Sequence, residues 1–309
     1  MKVVVLALAL FVASVSADTF DIDWSNVKPI TQFPEFWDNK PAELRPSASY
    51  FEKFENDRRS GRIVGGQIAE PHQFPYQVAL LITFAGGTGL CGGSILSSRT
   101  ILTAAHCIDG ASSGTVILGA HNRLVNEPNQ VRVAISDPSL FIMHPDWDPS
   151  LIRNDIGVIH LPTAVTLNAF IRPAILPLTS DINNSFAGEL GVVSGWGVFS
   201  DAIGQASDVL RYVYDNVMTN TACSIRFPGV IQPSNICVTG TNGRGACSGD
   251  SGGPLTVHRG GESMQVGVVS FGLALGCERS WPSAFVRVTS FLPWIQQNLF
   301  LFCHRIVET

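Results

Sequence analysis

The sequence predicts an all-β fold closed by one C-terminal helix, with its strands divided between two barrels or sandwiches. Three observations carry this. From residue 63 onward, short runs rich in Val and Ile, often alternating, are bounded by Gly, Pro, Asn and Asp. The runs are spread evenly and show no short-period repeat. Only S-F-L-P-W-I-Q-Q-N-L-F, at 290–300, reads as an amphipathic helix. A chain of 309 residues, 45% hydrophobic and 15% charged, is long enough for one large core or two smaller ones. Its net charge of −5 provides no basic face for nucleic acid.

Taken in order, the chain opens with Lys2, an apolar run at 3–13 and the small residues Val15-Ser16-Ala17. This reads as a secretory signal, residues 1–17, cut after Ala17. The run is short for a membrane anchor, and no later stretch is long enough to span a bilayer. A secreted protein without membrane contact is therefore expected. Residues 18–62 differ in character from the remainder of the chain: they are polar, with scattered aromatics (Phe20, Trp24, Phe33, Phe36, Trp37), four prolines, and Lys28, Lys40 and Lys53. No lysine occurs after Arg62. The stretch ends in R-R-S-G-R and gives way to I-V-G-G, which reads as a pro-segment or linker with a processing site after Arg62. The strand-like runs come next: YQVALLITF (76–84), SILSSRTILTAA (94–105), GTVILGA (114–120), VRVAI (131–135), DIGVIHL (155–161), GELGVVSGWG (188–197), MQVGVVSFG (264–272) and AFVRVT (284–289). All seven cysteines lie after residue 90. Secretion makes them disulfide formers, and an odd number leaves one thiol over or paired with another chain.

Three local features bear on chemistry. T-A-A-H-C sets His106 beside Cys107; alone, such a His is structural or a metal ligand. R-N-D-I-G-V-I leads Asp155 into an apolar run; alone, it is a turn residue. G-D-S-G-G-P wedges Ser251 between an acid and two glycines, a far more specific pattern. Amide hydrolysis needs a nucleophile, a base to take its proton and a group to orient the base. Ser, His and Asp are those types. Glycines let backbone N–H groups approach a developing oxyanion without obstruction.

The blocks I-V-G-G, T-A-A-H-C, N-D-I-G and G-D-S-G-G-P occur in that order. From residue 63 to about 299 the chain resembles the chymotrypsin-like (trypsin-fold) serine endopeptidases. G-R-G-A-C-S-G-D-S-G-G-P and S-F-G-L-A-L-G-C also resemble the arthropod chymotrypsin and brachyurin (serine collagenase) branch. The resemblance implies a protease domain at 63–309: two antiparallel six-stranded β-barrels, near 63–172 and 173–290, then a helix and a short tail. It implies Ser251 as nucleophile, His106 as general base and Asp155 as the group that orients it, with the N–H groups of Gly249 and Ser251 as oxyanion hole. Cleavage after Arg62 would free an amine on Ile63 to pair with Asp250, and activity is expected to fall at strongly alkaline pH as that amine deprotonates. The implied disulfides are Cys91–Cys107, Cys223–Cys237 and Cys247–Cys277. Cys303 is left unpaired. The pro-segment has no cysteine to tether it.

The resemblance also implies a substrate pocket with Gly245 at its floor, Ala246, Ser248 and Ser283 on its walls, and Gly272 at its entrance. Ser270, Phe271 and Gly272 would pair with substrate backbone as an added strand. Neither Gly245 nor Ser283 is acidic, so Phe, Tyr, Leu or Met before the cut bond, or broad preference, is expected. Glu278, close by in sequence, is the residue that could alter this. Such a pocket does not accept Arg62, which calls for a trypsin-like activating protease. Ala120 stands where a family calcium loop has its first acid, so no metal and no cofactor are expected. Asn183-Asn184-Ser185 is a glycosylation pattern. His72, His121, His144, His160, His258 and His304 read as structural or exposed. The expected partners are protein or peptide substrates, the activating protease and protein inhibitors of a monomer. The setting is digestive, in a gut lumen, where a lysine-free domain offers tryptic neighbours only arginines. The competing readings are a processing protease of immunity or clotting, and an inactive homologue acting by binding.

Overall fold

A computed structural model describes residues 22–40, 44–46, 66–202, 204–272 and 276–299. The signal-like stretch, Arg62, Ile63 and Cys303 lie outside the described residues.

The apolar runs form antiparallel strands in two sheets. The first holds β1 (Val27–Pro29), β3 (Gln77–Phe84), β4 (Gly87–Ser97), β5 (Thr100–Thr103), β6 (Ser113–Leu118), β7 (Val131–Ile135), β8 (Phe141–Met143) and β9 (Gly157–His160). Its order is β7-β6-β3-β4-β5-β9-β8, with β1 joined to β4. The second holds β2 (Gln67–Ile68), β10 (Leu190–Gly195), β11 (Arg211–Met218), β12 (Asn235–Val238), β13 (Pro254–Arg259), β14 (Glu262–Phe271) and β15 (Ser283–Arg287), in the order β10-β13-β14-β15-β12-β11-β2. Pairing of β10 with β11 closes that sheet on itself. Each curled sheet buries its own apolar face, which makes two β-barrel units. One core gathers Leu80, Ile82, Ile101, Val116 and Val158. The other gathers Val193, Val213, Ile236, Val266 and Phe285.

Two elements cross between the units. β2 pairs with β11 of the second sheet, although it precedes every other strand after residue 63. The C-terminal helix α2 (Leu292–Gln297) buries Leu292 and Ile295 in the first core, and His160 Nε2 meets the Asn298 carbonyl at 2.8 Å. The helical pattern at 290–300 thus yields less α-helix than its length suggests. A 3-10 turn, Val288–Phe291, takes the first part, and Pro293 enters at the helix's first turn, where its missing N–H costs nothing. A second helix, α1 (Asn220–Arg226), starts at Thr219, whose hydroxyl accepts from the Ala222 N–H at 3.2 Å. Among the described residues no helix is long and apolar enough to cross a membrane.

The backbones of the two units touch along one seam. The Gly92 N–H donates to the Ser251 carbonyl at 2.7 Å. The Ser194 hydroxyl donates to Gln77 Oε1 at 2.6 Å. A Cβ on Gly92 would lie 2.9 Å from Gly253 Cα, so only glycine allows this approach.

Candidate active site

His106 and Asp155 reach the seam from the first unit. His106 lies in a 3-10 turn, Ala105–Cys107, directly after β5, and the Cys91–Cys107 bond ties that turn to β4. Asp155 precedes β9, where Ile152 and Asn154 take left-handed backbone (φ 50° and 53°). The Asn154 amide donates to the Asp146 carbonyl at 2.8 Å and holds this turn. His106 Nδ1 meets Asp155 Oδ2 at 2.7 Å, and the His106 backbone N–H donates to Asp155 Oδ1 at 2.9 Å. The Ser270 hydroxyl of β14 donates to Asp155 Oδ2 at 2.5 Å.

Both side chains are buried. Burial pushes the Asp155 carboxyl up, but the His106 charge and the hydrogen bonds from His106 and Ser270 hold it below its ordinary value. An ionised carboxylate only accepts, so Nδ1 carries the imidazole proton and Nε2 is left as a proton acceptor. Nε2 is buried and has no hydrogen-bond partner among the described residues.

Ser251 comes from the second unit, in the turn before β13. The Asp250 N–H donates to the Cys247 carbonyl at 2.9 Å, and the Gly252 N–H to the Val269 carbonyl at 2.8 Å. Gly249 and Gly252 have φ of +96° and +79°. A Cβ on Gly252 would collide with Thr103 Oγ1 and the Gly92 carbonyl. The glycines of G-D-S-G-G-P are therefore sterically required. Ser251 lines the same cleft as His106.

Asp250 turns the other way. Its carboxylate accepts from the Gly197 N–H at 2.8 Å and the Cys247 N–H at 2.9 Å, and fills the space where side chains on Gly195 and Gly197 would stand. The residue as a whole is half-buried while its carboxyl is enclosed, and burial of that carboxyl pushes it up to about 6 against these two hydrogen bonds. No cation pairs with it among the described residues. It borders a cavity that Gly66, Arg211, Tyr212 and Gly245 also line.

The cleft is walled by Ala246, Cys247 and Ser248 on one side, Ser270, Phe271 and Gly272 on another, and Trp281, Pro282 and Ser283 behind. Gly245 does not line it. Gly245 lies behind Ser283, where a Cβ would come 2.6 Å from Ser283 Oγ. The Ser283 hydroxyl accepts from the Ala246 N–H at 3.2 Å. Glu278 is exposed and outside the lining. An acid that sequence reasoning missed, Asp201, does line the cleft; its oxygens accept from the Cys277 and Glu278 N–H groups at 2.8 and 2.9 Å. Thr31, Phe36, Trp37 and Lys40, from the segment before residue 63, line it as well. No local pattern marks these residues, because each meets the cleft from a distant part of the chain.

Cys223–Cys237 and Cys247–Cys277 are also bonded. Two groups of ligand-type atoms, Cys91–His106–Cys107 and Asp201–Cys247–Cys277, include disulfide sulfurs, which offer no thiolate to a metal. Asn183 is exposed.

An imidazole oriented by a buried carboxylate, sharing a cleft with a serine, can pass a proton from hydroxyl to leaving group. That is acyl-transfer chemistry, and between two β-barrels it defines a serine endopeptidase. Comparison with known proteins narrows this. The family model described as Trypsin matches residues 63–295, and the chain belongs to that family, on its chymotrypsin-like side near the brachyurins. Brachyurin of Leptuca pugilator is 44% identical over 76% of this chain and 97% of its own length. Chymotrypsin of Phaedon cochleariae is 38% identical over 96% of this chain and 98% of its own, a match that reaches well upstream of residue 63. The solved structure of HL collagenase superposes with a TM-score of 0.69 at 36% identity, over 76% of this chain and 98% of that one.

Proposed function

We propose that this chymotrypsin-like protease is a secreted digestive enzyme, made as a zymogen and activated by cleavage after Arg62, that cuts after large apolar and aromatic residues. The observation that carries the reading is the His106–Asp155 contact of 2.7 Å in the cleft that holds Ser251, beside walls that present Ser283, Ala246 and Ser248, where the one acid among the described lining residues, Asp201, is held by the Cys277 and Glu278 N–H groups.

In this mechanism Ser251 Oγ attacks the scissile carbonyl as its proton passes to His106 Nε2. Asp155 stabilises the imidazolium that forms, and the N–H groups of Gly249 and Ser251 receive the oxyanion. His106 then protonates the leaving amine, and water hydrolyses the acyl-enzyme by the same route. Ser270, Phe271 and Gly272 take up the substrate backbone. The relative named chymotrypsin supports a chymotrypsin-like preference. Cleavage after Arg62 supplies the Ile63 amine to Asp250, which orders the oxyanion turn. Signal residues 1–17 export the chain as a monomer whose partners are protein substrates, a trypsin-like activator and protein inhibitors.

The test is tryptic activation of the purified chain, then measurement of kcat/KM on peptides varied at the residue before the cut. Phe, Tyr, Leu and Met should lead, and Ser251→Ala should remove about 10⁴-fold or more of kcat. A preference for Arg or Lys, or efficient self-processing at Arg62, would overturn the pocket assignment.

A further inference from the structure

The polar, proline-bearing segment before residue 63 does not stand away from the protease. Strand β1 pairs in parallel with Thr88–Leu90 of β4. Pro29 Cγ lies 3.4 Å from the position a Cβ on Gly249 would take, against the turn that carries Ser251. Ile30 is 4% exposed and belongs to the first core. The Gln32 amide donates to the Gly204 carbonyl at 2.9 Å. Trp37 folds back on its own segment, its indole N–H donating to the Thr31 carbonyl at 2.8 Å.

The segment then crosses the cleft. The Phe36 ring stands edge-on to the His106 ring, centroids 5.3 Å apart and planes at 72°. Lys40 is 6% exposed, with its ammonium 4.9 Å over Phe36 and 5.1 Å over Trp147. Leu44, 3% exposed, packs in the cluster that contains Ile152, Phe271 and Trp281. Phe36 thus sets aromatic carbon beside the His106 ring, whose buried Nε2 has no hydrogen-bond partner among the described residues.

These contacts have the make-up of a binding interface: buried aliphatic and half-buried aromatic anchors, a short backbone ladder and a cation stacked on rings. We propose that the active-site cleft is a binding site for the chain's own upstream segment, through residues 22–40 and Leu44, which inhibits the protease by occupying the cleft. The inhibition is separate from the Ile63–Asp250 latch and survives cleavage after Arg62. The segment carries no cysteine, so nothing covalent holds it after that cut, and it becomes a reversible inhibitor in trans. This rests on the catalytic reading of His106 and Ser251.

The experiment uses the full chain, cleaved after Arg62 and freed of its segment by gel filtration. A synthetic peptide of residues 18–62 is added back, and hydrolysis of a small chromogenic peptide is followed. The expected result is competitive inhibition: apparent KM rises, kcat is unchanged, and Ki is about 10 µM or tighter. The doubly substituted peptide Phe36→Ala, Trp37→Ala should bind at least about tenfold more weakly. No inhibition at about 1 mM, or equal inhibition by a scrambled peptide, would overturn the proposal. Anisotropy of the fluorescently labelled peptide reads binding directly, whether or not the preparation turns over substrate. Labelling of the same sample by a fluorophosphonate checks Ser251 separately. Failure to label counts against the catalytic reading, whereas labelling without peptide binding counts against this one.

Discussion

Ser270 reaches Asp155 across 115 residues of sequence, and among the described residues its hydroxyl is the one donor on that carboxylate that His106 does not supply. Removing it leaves a buried carboxylate with one partner fewer, and burial then raises it toward the neutral form, which no longer stabilises imidazolium. Ser270→Ala should therefore lower kcat by about 10- to 100-fold, the worth of a hydrogen bond to a charged group, with KM little changed because the backbone of β14 stays in place. Steady-state kinetics on one peptide separates the two parameters. The pocket offers a second single-residue test. Ser283 lines the cleft and accepts from the Ala246 N–H, a bond that a carboxylate can keep. Ser283→Asp should raise kcat/KM for Arg or Lys by roughly 10- to 100-fold. Gly245→Asp should mainly lower the melting temperature, since φ is +146° and Cβ would press on Ser283. His106, Asp155 and Ser251 were legible because each sits in a short specific block. Ser270's bond to Asp155, Asp201 in the cleft lining and Phe36 edge-on to His106 were not, because those meetings exist only once the chain is folded.

At the scale of elements, strands were readable where burial is simplest. V-R-V-A-I became β7 with the expected bounds, and the run at 76–84 lost only its first residue to become β3. S-I-L-S-S-R-T-I-L-T-A-A was one run in sequence but is two antiparallel strands, because Ser98-Arg99 turns the chain. Helix α1 left no periodic signal. Only Cys223 is buried along it, so no apolar stripe exists to be read. Its start depends instead on the Thr219 cap. Thr219→Ala should destabilise the protein by about 1 kcal/mol in chemical denaturation, with catalysis unaffected. The segment before residue 63 escaped reading for a related reason. Phe36 and Trp37 meet edge to face, but Trp24, Phe36 and Trp37 otherwise pack on cores built by residues after 63, so the segment has no core of its own and its composition looks like that of a linker.

At the scale of the whole molecule, the proposed activation and stability meet at Asp250. In the uncut chain the nitrogen of Ile63 is an amide and carries no charge. The carboxyl of Asp250 is held between Gly195 and Gly197 with two backbone N–H donors, and burial raises it from 3.8 to about 6. A folded-state value above the unfolded one means that the folded chain holds the proton more tightly. This favourable contribution is complete below pH 3.8 and is lost as pH rises through about 6. The difference amounts to at most about 3 kcal/mol at neutral pH. The uncut chain should thus gain stability from pH 7.5 to pH 5, relative to an Asp250→Asn variant that has nothing to titrate. Cleavage after Arg62 should reverse the sign. A new ammonium beside the carboxylate pulls its value down, the ionised pair becomes the favoured state, and Asp250→Asn becomes destabilising at pH 7.5 because it strands the amine. Urea unfolding of both chains, cut and uncut, at the two pH values reads this directly. Identical wild-type-minus-variant differences before and after cleavage would break the link between Asp250 and the new N-terminus.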